Sequence, residues 1–142
     1  MRNILVPVDG SENSLRAARH AVELARLVKP LTIHLAYAHE EPIVYGEIAV
    51  YVSREKMAAL QREHAEAMLA PAERLLRESG VPHTSKILIG PVAQALVAHA
   101  EASGCDAIVM GTHGMSALGG LLMGSVATKV VHLTRLPVTL VK

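Results

Sequence analysis

The chain has 142 residues, 14 Lys and Arg, 13 Asp and Glu, 51% apolar residues, three tyrosines and no Phe or Trp. A near-neutral chain with scattered basic residues and few stacking aromatics lacks the features that hold DNA or RNA, so we exclude nucleic-acid binding. No apolar run approaches the ~20 residues that span a bilayer, and the N-terminal run is too short for a secretory signal. We therefore expect a single domain, residues 1–142, that lies in the cytoplasm and makes no membrane contact.

The first part of the chain predicts a βα unit followed by a second strand. Residues 4–8 form a short apolar run that is typical of a strand buried on both faces. Apolar residues then recur at helical spacing from Leu15 to Ala25, and Ser11 or Asn13 can cap that helix. Residues 31–38 predict the second strand.

The middle of the chain is less regular. Residues 41–51 lose any periodicity and are long for a connection, so we expect a mobile flap there. Helical spacing returns over residues 53–79 and ends at Gly80. Pro71 falls inside this pattern and should kink the helix or split it in two, because proline lacks an N–H group and clashes with the preceding turn.

The second half of the chain continues the alternation of strands and helices. Its predicted elements are a strand at 84–89, a helix that begins near Pro91, a strand at 106–110, a helix that opens at Gly124-Ser125 and a strand at 138–141. Such regularity predicts a doubly wound α/β fold, with a five-stranded parallel sheet covered on both faces. Cys105 lies against an apolar run, so we expect a buried, inert thiol.

Residues 111–126 hold five glycines, and their only ionisable side chain is His113. In a doubly wound sheet this segment and Asp9 converge at the carboxyl edge, where ligands bind. Glycine backbone and a helix N-terminus together suit phosphate. Because the segment has no Lys or Arg, a divalent cation must balance the phosphate charge, and Asp9 is the candidate Mg²⁺ ligand.

The order Gly111, Gly114 and Gly124-Ser125, with two and then nine intervening residues, resembles the nucleotide-binding signature of the universal stress protein family. The opening ILVPVDGS and the ending LPVTLVK resemble that family as well. The resemblance implies a flavodoxin-like sheet with strand order 3-2-1-4-5 and a homodimer that pairs through the last strand. It also implies ATP, or ADP or AMP, as cofactor with Mg²⁺, and protein partners whose identity is unknown.

The resemblance further assigns individual residues. Asp9 would lie near the phosphates and the metal, and the backbone at Tyr37 would contact adenine. The positions expected to line the ribose and phosphates are Gly111, His113, Gly114, Gly124, Ser125 and Val126. The predicted nucleotide-binding set also includes Pro7, Val8 and Met110, and no residue is assigned a catalytic role.

The expected function is that of an ATP-binding regulatory protein of stress resistance. Slow ATP hydrolysis or phosphoryl transfer is an alternative, although no arginine finger or water-orienting carboxylate is evident. A structural dimer without nucleotide is a third possibility. Asp9 could instead cap the first helix, the glycine segment could be a disordered loop, and Ser125 is a natural N-cap whose capping role is compatible with phosphate binding. A Walker loop is excluded, because Gly124 is followed directly by Ser125 and not by lysine.

Overall fold

The computed structural model describes residues 1–41, 53–113 and 123–142. Strands and helices alternate in the order β1 (Asn3–Pro7), α1 (Glu12–Leu27), β2 (Thr32–His39), α2 (Arg54–Ser79), β3 (His83–Ile89), α3 (Val92–Ala102), β4 (Ala107–Gly111), α4 (Ser125–Leu133) and β5 (Val138–Val141). The strands pair in parallel in the order β3-β2-β1-β4-β5. This confirms the predicted doubly wound α/β fold and its strand order.

Helices cover both faces of the sheet at β1 and β4, and successive residues of these strands point to opposite faces. Ile4 and Val6 of β1 pack with α1 and α2 in one core cluster. Leu5 of β1 packs with α3 and α4 in the other cluster, which also contains Cys105. Burial, followed by the negative charge of Asp106, raises the pKa of the Cys105 thiol to about 11. The prediction that the thiol is buried is thus confirmed.

Helix α2 is continuous through Pro71, so the expectation that proline would split it is wrong. The ring of Pro71 is exposed, whereas Leu69 and Ala72 on either side are buried against the core. Packing on both sides of the proline therefore outweighs the single helical hydrogen bond that it removes. The flap expected at 41–51 lies, from residue 42 onward, outside the described residues.

The described helices are too short or too polar to cross a bilayer: none found within residues 1–41, 53–113 and 123–142 could span a membrane.

His34 on β2 and His99 on α3 give the fold a pH-dependent stability. Burial lowers the pKa of His34, and burial together with the positive charges of His34 and Lys86 lowers the pKa of His99 from the ordinary value of 6.5. Below pH 6.5 the unfolded chain binds more protons at these histidines than the folded chain does. Their contribution to the free energy of unfolding is therefore fully present at higher pH and is lost as the pH falls through 6.5 toward the folded pKa values.

We therefore expect the melting temperature to decrease as the pH is lowered from about 7.5 to about 5.5. The decrease should be less steep in the double variant His34→Asn/His99→Asn. Circular dichroism melts across this range measure the slope. His20→Asn, at an exposed position of α1, is the matched control and should keep the wild-type slope. An unchanged slope in the double variant would contradict this prediction.

Candidate functional site

The polar interior of the chain is concentrated at one place. Among the described residues, the buried polar side chains are Ser11, Asn13, Ser14 and Thr112. They lie just after β1 and β4, at the carboxyl edge of the sheet, where β1 leads to a helix on one face and β4 leads toward a helix on the other. The carboxyl edge at such a reversal is where doubly wound sheets bind ligands, so we take it as the candidate site.

The turn between β1 and α1 fixes the carboxylate of Asp9. Its Oδ1 accepts a hydrogen bond from Ser11 N at 3.0 Å, and its own N–H donates to Ser14 Oγ at 3.3 Å. Ser11 caps α1, because its Oγ accepts from Ser14 N at 3.1 Å. Asp9 therefore holds the turn that precedes the helix and is not the cap itself.

Gly10 gives this turn its shape. The φ angle of Gly10 is +83°, and a Cβ at this position would lie 2.5 Å from Met68 Sδ of α2. The backbone conformation therefore favours glycine here, and a side chain would also require Met68 to move. The turn that carries Asp9 is thus held from two sides, by α1 and by α2.

Thr112 and His113 join four elements of the fold. Thr112 N donates to Val141 O of β5 at 3.0 Å, and Gly124 N, just before α4, donates to Thr112 O at 2.6 Å. His113 N donates to Asn13 Oδ1 of α1 at 2.7 Å. The end of β4 therefore sets the position of α4 relative to α1 and β5.

Gly111 has a reason to be glycine that the sequence did not reveal. A Cβ on this buried residue would fall well inside the van der Waals distance of Asn13 Oδ1 and 2.8 Å from Asn13 Cγ. The sequence pattern attributed this glycine to the approach of a ligand. The structure shows that close packing of the Asn13 carboxamide is sufficient to require it.

Helix α4 begins at Ser125, and its N-cap is Gly124, so the expectation that Ser125 is the N-cap is wrong. The cap falls one residue earlier because Gly124, with its N–H bound to Thr112 O, adopts the extended backbone (φ −74°, ψ 168°) that caps require. No side chain of the described residues caps α4, and none caps α3, whereas Ser11 and Ser53 cap α1 and α2. First-turn N–H groups without side-chain acceptors are an anion-binding feature.

Tyr37 places its ring between β2 and α2. The ring stacks on His39 with centroids 5.7 Å apart, and it meets His64 edge-on at 6.3 Å. Burial and then the negative charge of Asp9 raise the pKa of the Tyr37 hydroxyl. The ring is therefore within the electrostatic field of the β1–α1 turn.

The backbone of β2 shows which of its residues face the crevice, by which we mean the candidate site at the carboxyl edge of the sheet. The hydrogen bonds that fix the alternation are Thr32 N to Arg2 O, Val8 N to Ala36 O, Ile33 N to Pro82 O and Gly90 N to His39 O. Even-numbered residues of β2 thus bond toward β1 and odd-numbered residues toward β3. The N–H and C=O of Tyr37 therefore face β3, whereas those of Ala38 point past the end of β1.

The remaining predicted residues are divided between core and crevice. Pro7, Val8 and Met110 are buried, so contact with a ligand would have to use their backbone. The His113 ring is half-buried, and its Nδ1 lies 3.0 Å from Thr112 Oγ1. Gly114 lies outside the described residues.

The donor set at this edge fits magnesium bound together with phosphate better than a metal held by protein alone. Within the described ranges, no group of three or more His, Cys, Asp or Glu side chains lies close enough to hold a metal ion. Asp9 supplies one carboxylate, and Mg²⁺ typically takes one or two carboxylates and completes its coordination with phosphate oxygens and water. The scattered histidines do not form such a group in the described parts of the chain.

The model of the universal stress protein family matches residues 1–142. The chain belongs to the universal stress protein family. Universal stress protein MJ0531 of Methanocaldococcus jannaschii is 33% identical over 141 residues, which cover 99% of this chain and 82% of that protein. The family predicted from the glycine spacing is confirmed.

Solved structures of other universal stress proteins share the fold. Protein MJ0577 of Methanocaldococcus jannaschii superposes with a TM-score of 0.81 at 27% identity, over 99% of this chain and 95% of that one. A universal stress protein in complex with cAMP has a TM-score of 0.71 at 26% identity, over 99% and 97% of the two chains. One from Archaeoglobus fulgidus in complex with dAMP has a TM-score of 0.68 at 24% identity, over 100% and 98%.

Proposed function

We propose that this universal stress protein binds an adenine nucleotide, with ATP and Mg²⁺ as the full ligand, and that nucleotide occupancy regulates its action in stress resistance. The observation that carries the proposal is the start of α4, which has no side-chain cap and is bound to the end of β4 through Gly124 and Thr112. The half-buried Asp9 carboxylate lies after the neighbouring strand β1. Complexes of two structural neighbours with cAMP and dAMP support an adenine nucleotide.

Each part of the site has a proposed role. The N–H groups of Ser125 and Val126 would bind phosphate oxygens, helped by the positive end of the α4 dipole. Asp9 would hold Mg²⁺, which neutralises phosphate charge that no Lys or Arg of the 111–126 segment balances. For adenine we propose the backbone of Ala38 in place of that of Tyr37, because the Ala38 groups face the crevice.

Calorimetric titration of the nucleotide-stripped full chain with MgATP, with ATP plus chelator and with AMP tests this function. We expect saturable binding of MgATP and weaker binding of ATP when the chelator removes Mg²⁺. A dissociation constant of about 1 mM corresponds to a binding free energy of only about −4 kcal/mol. If none of the three ligands gives any heat of binding at about millimolar concentration, the proposed function is ruled out.

We further propose a homodimer that pairs through β5 in the cytoplasm. Among the described strands β5 is an edge strand of the sheet, and an edge exposes unpaired N–H and C=O groups. The hydrogen bonds from Ile108 N to Pro137 O and from Thr112 N to Val141 O fix its alternation. Thr139 therefore bonds to β4, whereas the N–H of Leu140 points to the open edge.

Leu140→Pro is expected to convert the dimer to a monomer, because proline lacks the N–H group that would donate a hydrogen bond to β5 of the second subunit across the two-fold axis. Analytical ultracentrifugation measures the outcome. Thr139→Pro is the contrasting variant: it removes a hydrogen bond inside the sheet and should lower the melting temperature more than Leu140→Pro does. A Leu140→Pro protein that sediments as a dimer would place the interface elsewhere.

A further inference from the structure

Asn13 lies at the meeting point of three parts of the fold. It belongs to the first turn of α1 and is 8% exposed. Its Nδ2 donates to Val141 O of β5 at 2.9 Å, and its Oδ1 accepts from His113 N at 2.7 Å. One buried carboxamide therefore links the helix after Asp9, the edge strand β5 and the residue that follows Thr112.

The contact with His113 determines the direction of a peptide group in the candidate site. Because Asn13 Oδ1 accepts from His113 N, this amide points toward α1. The same peptide carries the carbonyl of Thr112, which accepts from Gly124 N at the start of α4. A planar peptide cannot turn one of these groups without turning the other. The side chain of Asn13 thus acts on the start of α4 through the Thr112–His113 peptide.

The strand β5 takes part in the same arrangement. Val141 O accepts from Thr112 N at 3.0 Å as well as from Asn13 Nδ2. The Thr112–His113 segment is therefore held on one side by a β5 carbonyl and on the other by a side chain that binds the same carbonyl. The carboxamide packs against Gly111, in the space that a Cβ at this position would occupy.

We propose that Asn13 is a positioning residue of the nucleotide site, which sets the distance between the α4 N-terminus and the Asp9 turn. The inference rests on the proposed function and extends it to a residue outside the glycine signature. Asn13 lies four residues after Asp9 and contacts the Thr112–His113 peptide, whose carbonyl binds Gly124 at the start of α4. It therefore connects the Asp9 turn with the α4 N-terminus, the two halves of the proposed phosphate site. Binding groups that are already in place lose less entropy when the ligand arrives, and affinity rises accordingly.

Asn13→Ala separates this role from general stability when it is compared with Arg16→Ala. Arg16 lies on the same helix, and its Nε donates to Lys142 O at 2.9 Å, next to the carbonyl that Asn13 binds. Arg16 has no hydrogen bond to the Thr112–His113 segment among the described contacts. Both variants remove a contact between α1 and the end of the chain, but only Asn13→Ala releases the His113 amide.

The first measurement is amide hydrogen exchange of the nucleotide-free protein by NMR. In Asn13→Ala we expect protection of the His113 amide to fall by about tenfold or more, because its acceptor is lost, while the amides of β4 keep their protection. Arg16→Ala should leave His113 unchanged. Unaltered protection of His113 in Asn13→Ala would overturn the assigned contact.

The second measurement is the MgATP dissociation constant by calorimetry. We expect Asn13→Ala to weaken binding by about tenfold or more and Arg16→Ala by less than about twofold. If Asn13→Ala does not fold, Asn13→Ser, which is too short to reach His113 and Val141 together, replaces it. Wild-type affinity in a variant whose His113 amide has lost protection would overturn the positioning role. Wild-type protein that binds no nucleotide would overturn the proposed function and the role with it, although the exchange result would still stand.

Discussion

Gly111→Ala is expected to lower the free energy of unfolding by about 2–5 kcal/mol, which combines overpacking of a dense site with the loss of buried hydrogen bonds. The new Cβ would fall on the carboxamide of Asn13 and 3.1 Å from its backbone carbonyl carbon. Asn13 cannot move away without breaking its bonds to Val141 and His113. At roughly 2–4 °C per kcal/mol for a chain of this size, the melting temperature should fall by on the order of 10 °C.

A double-mutant cycle shows whether the Asn13 side chain is the cause. Asn13→Ala removes Cγ and Oδ1, the two atoms that the Cβ of Gly111→Ala would meet first. We expect the double variant to be more stable than the sum of the single effects by about 1–3 kcal/mol, measured by urea denaturation. Additive effects within about 0.5 kcal/mol would show that the two side chains do not interact.

Asp9→Asn is expected to weaken MgATP binding by at least about tenfold, or ~1.4 kcal/mol, and to abolish the dependence on magnesium. The amide keeps an oxygen that can accept from Ser11 N, so the β1–α1 turn should persist. What the variant loses is the negative charge that attracts Mg²⁺. Binding of AMP without metal should be equal or tighter, since a carboxylate near a phosphate is repulsive.

Glu12→Gln is the matched control for this experiment. Glu12 is exposed in the first turn of α1, three residues after Asp9, and it also carries one negative charge. Its variant should bind MgATP as the wild type does, with the same dependence on magnesium. If Asp9→Asn also behaved in this way, the metal would have to be held by other groups.

The sequence predicted the fold because the decisive signals are local. The strands β1 and β4 are nearly continuous apolar runs. Each observed strand begins and ends within a residue or two of the predicted one. The parallel direction of the strands follows from the regular alternation of strands and helices, whereas the strand order was implied by the resemblance to the family. The error at Pro71 arose because burial of Leu69 and Ala72, which depends on the rest of the fold, outweighs the local effect of proline.

The candidate site was predicted less completely, because part of it depends on contacts between distant residues. Asn13 and His113 are 100 positions apart, and nothing in the local sequence of either indicates the hydrogen bond between them. The directions of the backbone groups of Tyr37 and Ala38 likewise follow from the hydrogen bonds between β2 and its neighbours and not from the local sequence. The glycine spacing led to the correct family, but the packing of Asn13 against Gly111 became visible only in three dimensions.

The chain contains three tyrosines, no tryptophan and no phenylalanine, so its near-ultraviolet aromatic absorption and its fluorescence come from phenol groups. Tyr45 and Tyr51 lie outside the described residues. The negative charge of Asp9 contributes to the raised pKa of Tyr37. A cation that screens the charge of Asp9 would remove part of the rise in the Tyr37 pKa, so the phenolate would form at a lower pH. A metal at Asp9 would thus shift the alkaline spectrophotometric titration of Tyr37, and comparison with Tyr37→Phe separates this signal from those of Tyr45 and Tyr51.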